Sequence, residues 1–118
     1  MCGSIFRPKI PAPPPAPAPA ANYVPTVKSG NLIFVSGQIP VVDGKMIVGK
    51  VGHNIEIEEA VAAARACGLA IIAQLNEATN SDLDKISRIV KLGGFVNCTD
   101  TFTQQPEIIN GASNLMVE

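Results

Sequence analysis

Three cysteines and one histidine are the thiol and imidazole side chains in this 118-residue sequence that could bind a zinc ion. Cys2, Cys67 and Cys98 are widely spaced, and His53 is the single histidine. A structural zinc site needs about four nitrogen, sulfur or oxygen ligands, and these residues do not supply them at a metal-binding spacing. We therefore predict no metal site and no other cofactor.

A nucleophile is the other chemistry that these residue types could provide. Cys67 lies in an alanine-rich helical pattern, so we expect a small core residue there. Cys98 follows a predicted strand, and a reactive thiol is one interpretation of it. No histidine stands near it in sequence to activate such a thiol. Ser36 in Ser36-Gly37-Gln38 also lacks a neighbouring histidine or lysine, which argues against a serine nucleophile. We therefore name no catalytic residue.

Length and composition limit the protein to one small domain without a basic surface. Hydrophobic residues make up 47% of the chain and charged residues 16%, and the formal net charge is −1. A protein that binds nucleic acid through its charge should be basic, so nucleic acid is not an expected partner. No apolar run approaches the roughly 20 residues of a membrane helix, and no apolar signal-peptide core stands at the N-terminus. These features predict a cytoplasmic location without membrane contact.

Residues 1–21 are expected to be an arm, and residues 22–118 the folded domain. From Pro8 to Ala21, twelve of fourteen residues are proline or alanine. Proline fixes φ and lacks an N–H group, so this stretch favours an exposed polyproline II spacer over a helix or a central strand. A docking segment for a protein partner is the alternative.

The domain begins with β-prone segments. Tyr23 to Val27 and Leu32 to Ser36 are predicted to form a hairpin across a turn at Ser29-Gly30-Asn31. The second of these strands is apolar on both faces, which is typical of a central strand. A short third strand is predicted from Lys45 to Val48, after a turn at Asp43-Gly44.

Helical and strand patterns alternate in the second half. Apolar residues recur at three- and four-residue steps from Ile57 to Ala78, which predicts a helix. Ile86 to Cys98 is typical of a long strand with a glycine pair inside. A second helix is predicted around Pro106, running to Glu118. The order β-β-β-α-β-α predicts an α+β fold whose sheet edge and last helix are incompletely covered.

A family resemblance is carried by several segments in order. Gly30-Asn31-Leu32-Ile33-Phe34-Val35-Ser36-Gly37-Gln38-Ile39-Pro40 resembles the signature strand of the RidA/YjgF family, also named endoribonuclease L-PSP. The segments around Val90-Lys91-Leu92-Gly93-Gly94 and Gln105-Pro106-Glu107 also resemble the family, the latter a subgroup with a longer second helix. The resemblance covers about residues 22–118.

The resemblance implies a chorismate-mutase-like fold that assembles as a homotrimer, with ligand clefts between subunits. It implies hydrolysis of reactive enamines and imines, such as 2-aminoacrylate and its imine tautomer, to 2-oxo acids and ammonia. The residues that match the family's substrate-binding positions are Tyr23, Ser36, Gly37, Gln38 and Asn110.

Each matching position also has a structural alternative. Tyr23 could serve only to pack at a subunit seam, and Gly37 could be needed only for its turn. Gln38 and Asn110 could instead satisfy buried backbone groups across subunits.

The sequence departs from the family pattern at its end. The family's carboxylate-binding arginine and a later glutamate lie on closing strands, and Glu118 precedes the place where those strands would begin. We therefore expect weakened carboxylate binding and altered assembly for the 118-residue chain, since a hydrogen bond to a charged group contributes about 1.5–3 kcal/mol.

Three functions compete at this point. The first is a RidA-like enamine and imine deaminase. The second is a non-catalytic trimeric module that binds a small metabolite or acts as a scaffold, with residues 1–21 docking a protein partner. The opening Met1-Cys2-Gly3-Ser4 and the prolines after it also resemble small tailed-phage structural proteins, which extends the second reading to a virion. The third is RNA cleavage, which the sequence supports least because it has no histidine pair and no basic stripe.

Overall fold

The computed structural model describes residues 15–18 and 22–117, and their fold is α+β. Two α-helices pack against each other, and two short β-hairpins contact the first helix. The elements are β1 (Thr26–Ser29), β2 (Leu32–Val35), β3 (Val41–Val42), β4 (Lys45–Met46), α1 (Ile57–Ala78), a 3-10 turn (Leu83–Lys85) and α2 (Gln105–Val117). The predicted α+β class is therefore confirmed.

Both hairpins turn at residues suited to a two-residue loop. β1 and β2 are antiparallel, with Ser29 opposite Leu32, and Gly30 takes a φ of 59° at the first loop position. β3 and β4 are joined by Asp43 and Gly44, both with positive φ. Asp-Gly is a preferred pair for such a turn, because its twist matches that of the strands. The predicted third strand is thus shorter than expected, and its partner is a strand that the sequence analysis did not identify.

α1 occupies the residues that its apolar period predicts. Glu58 and Glu59 lie in its first turn, where acids interact favourably with the helix dipole. After the helix, Asn80 and Ser81 both adopt a positive φ, which turns the chain away from the helix axis. Thr79 closes the end by donating its hydroxyl to the carbonyl of Leu75 at 2.9 Å.

The centre of the core lies between α1 and α2. Ile72 of α1 and Leu115 of α2 are completely buried. Two glycines allow the helices to approach closely: a methyl group at Gly68 would lie 3.1 Å from Leu115, and one at Gly111 would overlap the carbonyl oxygen of Val61. The helices therefore touch partly through backbone, not only through side chains.

The predicted long strand from Ile86 to Cys98 is wrong as an element, because that segment forms no strand. Its one ladder contact is an isolated parallel bridge between Cys98 and Val51, where the Val51 N–H donates to Asn97 and the Thr99 N–H donates to Val51, both at 3.0 Å. Burial nevertheless alternates near its end, with Val96 and Cys98 facing the core and Phe95 fully exposed. A strand needs a neighbour along its length, and no other described segment pairs with this one.

β2 is not the central strand that its composition predicts. Among the described residues it pairs with β1 alone. Its outward residues Leu32 and Phe34 are exposed, Phe34 by 59%. The apolar outer face of this hairpin is therefore uncovered in the single chain.

Most of the predicted arm and the last residue of the predicted second helix lie outside the described residues. Of the predicted arm, residues 15–18 are described, and they lie against α1. α2 ends at Val117, and Glu118 is outside the described part. Within residues 15–18 and 22–117, neither helix is both long and apolar enough to cross a membrane.

Candidate small-molecule cleft

A cleft of about 390 Å³ opens between the arm residues, the ends of the first hairpin and α1. Its wall combines backbone turns with the small side chains of the helix. The lining residues are Pro15, Pro17, Ala18, Tyr23, Pro25, Ser36, Gly37, Gln38, Ile39, Val41, Ala66, Leu69, Ala70 and Gln74. Four of the five predicted ligand-binding residues are therefore found in one place.

Ser36 fixes the turn that enters the cleft. Its backbone N–H and its hydroxyl both donate to the carbonyl of Pro25, at 2.9 and 3.1 Å. The hydroxyl proton is thereby committed to a structural hydrogen bond, which ties the end of β2 to the start of β1. Ser36 therefore has a structural role at this end of the hairpin.

Gln38 is held from two sides. The side-chain amide of Gln38 donates to the backbone carbonyl of Ser36 at 3.0 Å. The backbone carbonyl of Gln38 accepts a hydrogen bond from the thiol of Cys67 at 3.5 Å. Burial raises the pKa of the Cys67 thiol, so that the protonated form is favoured. Cys67 therefore acts as a weak donor that supports the turn from α1.

Gly37 lies between these two anchored residues, and nothing in residues 15–18 and 22–117 explains why it is a glycine. Its φ is not in the left-handed region, and a methyl group there would meet no atom within 4 Å. Any residue could thus replace it as far as this chain's own backbone and packing are concerned. The missing side chain leaves open space beside the cleft.

Tyr23 and Asn110 are placed differently. Tyr23 lines the cleft and is 42% exposed, so its ring is available to a bound molecule. Asn110 is an exposed residue of α2 and does not line the cleft. The single chain therefore brings four of the predicted site residues together and leaves Asn110 apart.

Gln74 is the cleft residue that the sequence analysis missed. It is 4% exposed, and its amide donates to the carbonyl of Pro17 at 2.9 Å. A glutamine among alanines and isoleucines on the inner side of a predicted helix is a signal that could have identified it, because a buried amide needs a partner. Its partner lies 57 positions earlier in the sequence, which the periodicity of a helix cannot reveal.

The cleft is uncharged in the described part of the chain. Its polar groups are the phenol of Tyr23, the Ser36–Gln38 turn and the amide of Gln74, and none of its lining residues is acidic or basic. The described residues also contain no group of three or more histidine, cysteine, aspartate or glutamate residues arranged to hold a metal ion. Such a cleft can position a neutral or weakly polar molecule by shape and hydrogen bonds.

Comparison with known proteins gives consistent matches. Residues 11–118 match the family model described as "YjgF/chorismate mutase-like, putative endoribonuclease". Protein TCP17 of Trypanosoma cruzi is 46% identical over 110 residues, which cover 92% of this chain and 66% of TCP17.

Two crystal structures share the fold. Protein Atu1372 of Agrobacterium tumefaciens aligns with a TM-score of 0.77 and 46% identity, over 82% of this chain and 64% of that one. A protein of Shewanella oneidensis MR-1 described as a "putative endoribonuclease" aligns with a TM-score of 0.81 and 33% identity, over 88% and 69% of the two chains. This chain thus spans about two thirds of each of these relatives, and by its sequence match and its fold it belongs to the YjgF/chorismate mutase-like family, as the resemblance of Gly30–Pro40 and the later segments predicted.

Proposed function

We propose that this chain binds a small imine, enamine or 2-oxo acid in the cleft beside Tyr23 and the Ser36–Gln38 turn. The proposed reaction is hydrolysis of reactive imines, such as the tautomer of 2-aminoacrylate, to 2-oxo acids and ammonia. Family membership supports the class of molecule, and the placement of Tyr23, Ser36, Gly37 and Gln38 around one cleft supports the location.

Gly37 is the observation that carries the proposal. Glycine loses more conformational freedom on folding than any other residue, so its presence without a structural need has a cost. Neither its backbone conformation nor its packing against the described residues requires it here. A molecule that approaches the turn closely from outside the chain is a physical reason for the missing side chain.

The proposed chemistry needs little from side chains. A water oxygen attacks the imine carbon, the C=N electron pair moves to nitrogen, and one proton of the water passes to that nitrogen. The resulting carbinolamine then breaks its C–N bond while its hydroxyl proton passes to the departing nitrogen, which gives the 2-oxo acid and ammonia. The cleft contributes by holding the imine carbon in position for water, with the phenol of Tyr23 and the polar groups of the turn as orienting contacts.

Recognition of a carboxylate is the part of this reaction that the cleft does not supply. None of its described lining residues is charged, so the cation that pairs with a 2-imino acid must come from another copy or another part of the protein. This same observation favours a second candidate function, in which the chain binds a neutral carbonyl compound without chemistry. RNA cleavage is not proposed, because the described lining residues include no imidazole, acid or base.

We also propose that the protein assembles as a homotrimer. The outer face of the β1–β2 hairpin exposes Val27, Leu32 and Phe34, and Phe95 of the segment from Ile86 to Cys98 is fully exposed as well. An exposed apolar face such as that of the hairpin favours association. Assembly is also the route by which the exposed Asn110 of another copy could reach the cleft. The predicted cytoplasmic location stays a prediction.

The test uses ammonia release and binding on the same protein. The imine is generated in solution from alanine by an amino-acid oxidase, and the rate of ammonia release is compared with and without this protein. Binding of pyruvate and of its neutral amide, pyruvamide, is measured by titration with NMR detection. Gly37→Ala should lower the affinity for pyruvamide at least fivefold, because the added methyl fills space that the ligand needs.

Gly93→Ala is the matched control, since a methyl at Gly93 also meets nothing within 4 Å and its φ is not left-handed. It lies away from the cleft and should leave pyruvamide binding unchanged when both variants are compared at equal oligomeric state. Faster ammonia release in the wild type supports the deaminase, and binding without acceleration supports the second candidate. Binding that is unaffected by Gly37→Ala would show that the cleft is not the site.

A further inference from the structure

Residues 15–18 of the proline- and alanine-rich arm are attached to α1 by one partly buried hydrogen bond. The side-chain amide of Gln74 donates to the carbonyl of Pro17 at 2.9 Å, and Gln74 is almost completely buried. A buried amide without a partner is costly. The bond to Pro17 therefore gives the chain a definite reason to keep this part of the arm on the helix.

The arm is chemically suited to this attachment. Pro15 and Pro17 have no N–H group to donate to a ladder, so their segment does not pair as a regular strand, in which a neighbouring strand would donate to its carbonyls. Their carbonyl oxygens stay available to a donor from outside the segment. A side-chain amide on the helix, of which Gln74 is the example here, satisfies that need.

The surface of α1 beneath the arm is formed in part by small side chains. Ala66 and Ala70 of α1 line the main cleft together with Pro17, and one turn further Ala73 lines a second depression with Pro15 and Ala16. Small side chains at this spacing lie on one face of the helix. They let the arm approach the helix closely enough for the Gln74 bond to form.

The arm also forms part of the proposed ligand site. Pro15, Pro17 and Ala18 line the same cleft as Tyr23 and Gly37. Whatever enters the cleft must therefore fit beside the arm or displace it. The position of the arm thus sets how much of the cleft is open.

We propose that residues 15–18 act as a strap that Gln74 holds on α1, and that this strap limits the cleft to small ligands. Release of the strap opens the cleft to bulkier carbonyl compounds. The role of the strap as a size filter rests on the proposed binding function, whereas its attachment to α1 does not.

Attachment is tested first, in the full chain. A nitroxide is placed at Ala18→Cys after the three native cysteines are replaced, and its relaxation effect is measured on the backbone amides of residues 70–77. Gln74→Glu keeps the shape of the side chain but turns the donor into an acceptor that faces a carbonyl oxygen. We expect the relaxation effect to fall at least fivefold in this variant, and Gln104→Glu, which changes an exposed glutamine in the same way, should leave it unchanged.

The size filter is tested with two neutral probes, pyruvamide and the bulkier phenylpyruvamide. In Gln74→Glu the affinity for phenylpyruvamide should rise at least fivefold relative to the affinity for pyruvamide. Gln74→Met, which removes the donor without adding charge, provides the same comparison if the glutamate variant does not fold.

The outcomes separate the two proposals. Strap release with an unchanged ratio of the two affinities would overturn the size filter while the cleft stays a binding site. An unchanged relaxation effect in the folded Gln74 variants would overturn the attachment itself. Failure of both probes to bind any variant would overturn the proposed binding function, and the size filter with it, even if the strap is released.

Discussion

Gly111 is expected to control how closely α1 and α2 can pack. It lies inside α2, where glycine is less favourable than alanine by about 1 kcal/mol. A methyl group at this position would overlap the carbonyl oxygen of Val61 and lie 3.2 Å from its carbonyl carbon. These atoms belong to the backbone of α1, so they cannot rotate away as a side chain would. Gly111→Ala therefore forces the two helices apart along the buried core.

The size of the effect follows from two opposing contributions. Overpacking a well-filled core costs roughly 1–3 kcal/mol, and a rigid backbone neighbour favours the upper end of that range. Alanine returns about 1 kcal/mol through its higher helix propensity. The free energy of unfolding should therefore fall by about 2 kcal/mol. In a domain of this size that change lowers Tm by roughly 8–16 °C.

Gly68→Ala is the matched control in the facing helix. A methyl group there would lie 3.1 Å from a terminal methyl of Leu115, which can shift slightly, and 3.4 Å from Ala112. The helix-propensity gain then offsets most of the crowding, and we expect a net change within about 1 kcal/mol.

The assay is urea unfolding of the wild type and both variants, followed by circular dichroism. An equal or higher unfolding free energy for Gly111→Ala would refute the reasoning, because it would mean that the helices do not touch through backbone. A larger loss in Gly68→Ala than in Gly111→Ala would refute it as well.

Three further predictions concern the packing around the helices. Gly94→Ala should lower the free energy of unfolding by about 1 kcal/mol, since a methyl there would lie 2.5 Å from a side-chain methyl of Ile109. Gly93→Ala should leave the free energy of unfolding unchanged, and urea unfolding of the two variants makes the comparison. Thr79→Val should cost about 1 kcal/mol in the same assay, because it removes a buried hydroxyl that closes α1. Burial raises the pKa of Cys67. The contribution of this thiol to the free energy of unfolding should therefore be constant below the unfolded thiol pKa of about 8.5 and fall as the pH rises above it. Cys67→Ala should remove that fall, and an unchanged pH profile in this variant would contradict the assignment.

Local patterns were enough to predict α1 and the pairing of the first hairpin, although β1 runs from Thr26 to Ser29 and not from Tyr23 to Val27. A helix repeats every 3.6 residues within one segment, so its apolar face is visible in the sequence itself. α1 runs from Ile57 to Ala78 as its period predicts. The hairpin of β1 and β2 is equally local, because the turn at Gly30 brings neighbours in sequence together.

The segment from Ile86 to Cys98 shows where local patterns fail. Its β-branched residues and glycines suit a strand, yet strand formation depends on a partner from elsewhere in the fold. Within the described residues the partner reaches only Cys98, through Val51. The composition therefore predicts the kind of residue that the segment offers to the core, but not its pairing.

The family resemblance predicted which residues to look for at the candidate site, but not how they are arranged. Tyr23 and the Ser36–Gln38 turn meet in one cleft of the single chain, whereas the resemblance implied clefts between subunits. The Gln74 bond to Pro17 joins a helix to an arm that composition alone assigned to solvent. A contact of this kind depends on the position of the arm in three dimensions, and no period in the sequence encodes it.

The glycines differ in whether the packing of the described residues requires them. Gly111 has an internal reason, since α1 occupies the space where its side chain would be. Gly37 and Gly93 have none, because neither a left-handed φ nor a neighbouring atom demands a glycine there. One borders the cleft and the other lies two residues from the fully exposed Phe95. Because a glycine has an entropic cost on folding, the proposed ligand explains the missing side chain at Gly37, and Gly93, which does not line the cleft, is the position that tests this reasoning.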